Sequence, residues 1–190
     1  MTFLSKYKLI FIILGIAVVV EIIWAVKLLR GNVPLPVASS TQTVSNVNLL
    51  PASISLSTPK TTIKVGEKIP VSINIDSVKA TDGTDVILNF DPSLLVASKS
   101  ANVGKIYDDY PLNVTDNTTG KFSISGISSA ANGKIAQGVF GTLIFEAKSP
   151  GKAQISIDFT KGNTTDSNVT ETKSAKDLLG TVGNLEVEIK

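Results

Sequence analysis

Asp85-Val86-Ile87-Leu88-Asn89-Phe90-Asp91-Pro92-Ser93-Leu94-Leu95 is the stretch that decides the fold. Val86, Leu88 and Phe90 alternate with Asp85, Ile87 and Asn89, the two-residue period of a strand with one face buried. Asp91-Pro92-Ser93 ends it, because proline cannot donate to a ladder and holds the preceding residue extended. Leu94 and Leu95 return the chain to the core directly afterwards. A strand, a turn and an apolar plug in that order make a corner of a β-sandwich.

On either side of this corner the same grammar continues. Ile54-Ser55-Leu56 is a short strand, and Pro59 and Val65-Gly66 mark the turn after it. Ile69, Val71, Ile73 and Ile75 alternate with polar residues, and Pro70 among them favours a sheet edge or a bulge. Thr81-Asp82-Gly83-Thr84 is expected to turn the chain into the Asp85 strand. From Lys99 to Gly120 the pattern loosens. Phe122-Ser123-Ile124-Ser125 is a strand, and Asn132-Gly133 is a turn signal. Over Gly138–Ala147, alternation places Val139, Gly141, Leu143, Phe145 and Ala147 inward and Phe140, Thr142, Ile144 and Glu146 outward. Pro150-Gly151 leads into Ala153, Ile155, Ile157 and Phe159, and Leu185, Val187 and Ile189 close the chain. The fold expected is all-β, a jelly-roll sandwich of about nine strands, preceded by a single transmembrane helix.

That helix is read at residues 9–29, apolar except for Gly15, Glu21 and Lys27 and long enough at about 1.5 Å per residue to cross a hydrocarbon core of about 30 Å. Residues 1–8 are then a short cytoplasmic N-terminus. No small-residue cleavage site follows closely, since Lys27-Leu28-Leu29-Arg30 intervenes, so the segment reads as an uncleaved signal-anchor. Trp24 suits the membrane interface. Glu21 is costly when ionised in a span, and a helix–helix contact or a filament-assembly charge are its functional readings. Residues 30–52 hold Pro34, Pro36 and Pro51 with a Ser/Thr run, a spacer that lifts the domain at 53–190 off the membrane.

Composition excludes several chemistries. The chain has no Cys and no His, so it carries no thiolate, imidazole ligand, disulfide or histidine base. The net charge of +2 sits at the N-terminus: removing Lys6, Lys8, Lys27, Arg30 and Glu21 from the 18 bases and 16 acids leaves 14 and 15. A near-neutral body offers no nucleic-acid surface. Asp82, Asp85, Asp108, Asp109 and Asp116 match no calcium-loop spacing, and turn-forming accounts for most of them. No cofactor, metal or enzymatic activity is expected.

Three segments in order carry a family resemblance: Val86 to Leu94, ending in Phe-Asp-Pro-x-Leu; Gly141-Thr142-Leu143-Ile144-Phe145; and Pro150-Gly151-Lys152-Ala153. With Val65-Gly66-Glu67-Lys68-Ile69-Pro70-Val71 before them, the domain resembles a cohesin over roughly Ser53 to Lys190. The resemblance implies a nine-stranded jelly roll, outside the cell, whose exposed sheet face binds a dockerin, a small calcium-loaded helical module. It places the strand before the Asp-Pro turn on that face. Where the family often has Asn-x-Asp, this chain has Gly83-Thr84-Asp85, keeping the acid.

The expected partner-binding residues are Asp85, Ile87, Asn89, Phe140, Thr142 and Ile144, the outward sets of two strands taken as neighbours, with Ile87, Phe140 and Ile144 as an apolar patch. The alternative is a carbohydrate-binding module, for which Tyr107 and Tyr110 are the available aromatic platform. A filament subunit keyed to Glu21 is the third reading. Asn113, Asn117, Asn163 and Asn168 each begin an Asn-x-Thr acceptor sequon.

Overall fold

The structure is a computed structural model and describes residues 51–190. The expectations for 1–8, for the span at 9–29 with Glu21 and Trp24, and for the spacer up to residue 50 lie outside the described residues.

Twelve strands follow: β1 (Ala52–Ser57), β2 (Thr62–Ile63), β3 (Lys68–Phe90), β4 (Leu95–Ala97), β5 (Asn102–Val103), β6 (Asp109–Asp116), β7 (Lys121–Ile127), β8 (Lys134–Ala147), β9 (Gly151–Ile157), β10 (Asn168–Glu171), β11 (Leu179–Gly183) and β12 (Leu185–Ile189). β3 serves both layers of the sandwich. Its first half pairs with β1 and β8, while β11 lies parallel to β1 and β4 and β5 line the far side of β8. Its second half pairs with β7 on one side and with β9 and β10 on the other; β6 extends β7, and β12 extends β9.

The long β3 corrects the turn expected at Thr81–Thr84. The strand runs through that point, with a register shift between Asp76 and Ala80. Odd residues are buried from Ile69 to Ser77 and again at Thr81, with Lys79 exposed at the register shift, and even ones are buried from Thr84, so the buried face changes phase across Asp82-Gly83. The core is the predicted one on the β3 side: Ile69, Val71, Ile73 and Ile75, then Val86, Leu88 and Phe90, all buried. Pro70 lies beyond the end of β1, where the strand has a partner on one side only.

On β8 the expected alternation fails at one residue. Ile73 faces Gly141 while Asn74 faces Val139, so Phe140 is the extra residue of a bulge. The bulge shifts the phase. Phe140 is fully buried and Val139 is 44% exposed, the reverse of the expectation for both.

The loose region after Lys99 contains β5 and β6, and β6 is stitched rather than ladder-paired to β4 and β5. Ala97 N–H donates to Asn117 Oδ1 and Asn117 Nδ2 donates to Ala97 O, both at 2.8 Å. Asn113 makes the same two-point clasp on Ala101, at 2.8 and 2.9 Å. Between them Thr115 donates through N–H to Lys99 O and through Oγ1 to Ser98 O. Asn113, Thr115 and Asn117 point to the same side of β6 and close the gap between the layers. Two of the four sequon amides are thereby committed to structure.

Candidate functional site

The outer face of the layer built on β3, β6, β7 and β10 is organised in cross-strand rows, because ladder partners two residues apart share a face. One row reads Leu112, Ser125, Asp85, Asn168 across β6, β7, β3 and β10. The next reads Val114, Ser123, Ile87, and a third reads Asp116, Lys121, Asn89 and, on β9, Ser156. On the other side of the first row, Ile127 of β7 faces Gly83 of β3 and Thr170 of β10.

Asp85 sits at the centre of the first row, half-buried. Its carboxylate accepts from Ser125 Oγ on one oxygen and from Asn168 Nδ2, at 3.1 Å, on the other. Both flanking residues are polar partners from neighbouring strands, so the acid is oriented rather than mobile. Ile87 beside it has its backbone N–H donated to Ser167 Oγ at 2.9 Å. Ser167 and Asp158 thus complete the edge of β3 where β9 has ended and β10 has not begun, with Asp158 N–H donating to Ile87 O. The segment 158–167 bulges over the face there, and it walls a recess of about 150 Å³ together with Asp85, Ile87, Leu112 and Ser125. A shallower depression of about 250 Å³ continues past Gly83, Ile127 and Thr170.

Around this polar centre Leu112 is 42% exposed, Val114 50% and Ile127 45%. Three apolar side chains within two adjoining strands, rimmed by Ser, Asp and Asn, have the composition of a protein-docking patch. Asp85, Ile87 and Asn89 lie on this outer face, where the alternation puts them, while Leu112, Val114 and Ile127 beside them were not singled out from the sequence. The signal was present in Leu112-Asn113-Val114-Thr115, a clean alternation. Its polarity is inverted, since the polar set turns inward to clasp β4 and β5 and the apolar set is left outside.

The other expected contacts do not join this face. Phe140 is corrected to a core residue. Thr142 and Ile144 point outward but from the opposite layer, where they face Ser72 and Pro70 on the first half of β3. Ile144 lines a separate depression with Lys68, Val96, Ser98 and Glu146. The strand segments 85–89 and 140–144 are not ladder neighbours, so the patch of Ile87, Phe140 and Ile144 does not form.

Tyr107 and Tyr110 offer no sugar-stacking platform. Tyr107 is buried, its ring edge-on to Phe140 at 5.8 Å between centroids, and its hydroxyl bonds both Thr81 and Thr84 at 2.7 Å. The hydroxyl therefore fixes β3 at the point where its buried face changes phase, and burial pushes the phenol's pKa up. Tyr110 is half-buried and tilted against the same Phe140 at 5.3 Å. Among the described residues no group of three or more acidic side chains is assembled to hold a metal.

Residues 54–184 match the cohesin domain family model. The chain is also similar to solved structures. One is a type II cohesin domain from the cellulosome of Acetivibrio cellulolyticus, 17% identical with a TM-score of 0.60, covering 72% of this chain and 94% of that one. A second is the third cohesin of ScaC in complex with the ScaB dockerin from the same organism, 16% identical with a TM-score of 0.59, covering 73% and 98%. A third is the cohesin of OlpA in a type I cohesin–dockerin complex from Clostridium thermocellum, 14% identical with a TM-score of 0.54, covering 73% and 99%. At these identities the likeness is one of fold. No curated protein matches the sequence.

Proposed function

This chain belongs to the cohesin family, a family of non-catalytic modules that recognise dockerins, and from that premise we propose that it binds a dockerin-type protein partner while tethered to a membrane. The observation that carries the reading is the outer face around Asp85, where oriented polar groups are surrounded by exposed Leu112, Val114 and Ile127. A helical module presents side chains three and four residues apart, a spacing that suits a flat sheet face with an apolar margin.

Titration calorimetry of the full chain against calcium-loaded dockerin modules of its source organism tests the partner. Leu112→Lys combined with Val114→Lys is expected to weaken binding tenfold or more, about 1.4 kcal/mol, with the melting temperature unchanged. Undiminished affinity in a folded variant removes this face as the docking surface. In this reading the tether is the apolar run at 9–29, and the domain lies outside the cell because its body resembles exported domains. Protease added to intact cells is expected to strip the domain from the anchor; full protection reverses the orientation.

A further inference from the structure

One of the four Asn-x-Thr sequons differs from the rest in what its amide does. Asn113 and Asn117 spend both ends of their carboxamides on Ala101 and Ala97, and the hydroxyls two residues on are given to Ser98 O by Thr115 and to Asp116 by Thr119. Asn168 lies in β10, paired to β3, and its Nδ2 donates to Asp85 Oδ2 at 3.1 Å and to Asp166 O at 3.3 Å. Asn163 sits outside any strand, in the exposed run 160–165 between β9 and β10. A turn sets it there: Asn163 N–H donates to Thr160 O at 2.9 Å, and Gly162 supplies a left-handed φ of +83°. Apart from its chain neighbours, nothing would lie within 4 Å of a Cβ on Gly162, so the turn projects into open space. At Asn163 it is the carbonyl end that is tied down, Oδ1 accepting from Thr165 N–H at 3.1 Å and from Thr165 Oγ1 at 3.0 Å. Its Nδ2 donates no hydrogen bond among the described residues.

From this we infer that Asn163 is an N-glycosylation site, whose amide nitrogen takes a sugar from a glycosyl diphosphate donor on a lipid or nucleotide carrier. An acceptor sequon calls for Asn, any residue but proline, and a hydroxyl residue after it, here Asn163, Thr164 and Thr165. It also calls for a surface loop and a free amide nitrogen, because a bulky group must reach that atom and stay in solvent. Of the four sequons, Asn163 alone meets both conditions. In the transfer, Nδ2 bonds to the anomeric carbon of the sugar as the bond from that carbon to the diphosphate oxygen breaks. The diphosphate leaves with the bonding electron pair, and the nitrogen gives up one of its two protons to a base of the transferase. No hydrogen bond of the fold is lost, whereas a sugar on Asn113, Asn117 or Asn168 displaces bonds that tie strands together. Thr164 and Thr165 line the recess beside Asp85 and Ile87, so the sugar stands at its rim.

The test is peptide mapping by mass spectrometry of the full chain, purified in detergent from its own cells. One tryptic glycopeptide is expected, running from Gly162 to Lys173, with fragmentation placing the sugar on Asn163 rather than Asn168. A glycoamidase is expected to release the sugar and leave a carboxylate in place of that amide. Among variants expressed in the same cells, Asn163→Gln and Thr165→Ala are each expected to abolish the modification. Thr165→Ser is expected to keep it, and Asn168→Gln to leave it in place. A chain with no sugar on Asn163, sugar on Asn113, Asn117 or Asn168 instead, or sugar that survives Asn163→Gln on the neighbouring threonines each overturns the assignment. An oligosaccharide attached as one block identifies a lipid-linked donor and a single sugar a nucleotide-linked one, and both support the site.

Discussion

Replacing Phe140 by alanine is expected to lower the unfolding free energy by about 3–5 kcal/mol, the range for truncating a buried phenylalanine. Val139→Ser, one residue earlier, is expected to change it by no more than about 0.5 kcal/mol, as for an ordinary surface position. The pair is informative because simple alternation along β8 assigns the two residues the other way round. The bulge opposite Ile73 and Asn74 gives Phe140 no ladder partner and turns its ring inward. There it meets Tyr107 edge-on and Tyr110 at a tilt, so its removal undermines both rings as well as leaving a cavity. The loss extends to β3, since Tyr107 is the residue whose hydroxyl holds Thr81 and Thr84. Denaturant midpoints of the two variants decide the matter. A Phe140→Ala protein as stable as its Val139→Ser counterpart would mean that the bulge is absent and the ring lies outside.

The parts of the fold that were legible in the sequence are those where one residue type does one job. Val86, Leu88, Phe90 and the Asp91-Pro92 corner read correctly because burial and period agree, and Asp91 indeed accepts from Ser93 N–H at 2.8 Å to cap the turn. Asp85, Ile87 and Asn89 followed as the opposite face of that same strand. What was not legible depended on partners distant in sequence. A bulge on β8 is set by its register with β3, seventy residues away, and nothing in Gly138–Ala147 alone announces it. Likewise Asn113, Thr115 and Asn117 look like a polar loop until β4 and β5 are in place to be clasped. Leu112 and Val114 were overlooked for the same reason, because an edge strand whose polar side faces in inverts the rule by which apolar residues are taken as core. The recess was hidden too, since the 158–167 segment reaches the outer face beside Asp85 only because β3 pairs with β10.

The floor beneath the Phe140 cluster provides the most demanding check of this account. Gly126 on β7 faces inward, and a Cβ there would lie 2.6 Å from Phe140 Cε2 and 2.7 Å from Tyr107 Cδ2. An interior strand position ordinarily prefers alanine to glycine, by roughly 0.5–1 kcal/mol, because glycine loses more freedom on folding. Here the sign reverses. Gly126→Ala is expected to destabilise by about 1–3 kcal/mol, the cost of overpacking rings that cannot retreat. The rings are held from both ends, Tyr107 by its bonds to Thr81 and Thr84 and Phe140 by the bulge. If that is the cause, shrinking one ring restores the ordinary preference. In a Phe140→Leu background the branched side chain stops short of the ring edge and lets Tyr107 shift, so Gly126→Ala becomes neutral or stabilising. The double-mutant cycle is therefore expected to give a favourable coupling of about 0.5–3 kcal/mol. Additive losses would place the strain of Gly126→Ala in the backbone of β7 rather than against the aromatic cluster.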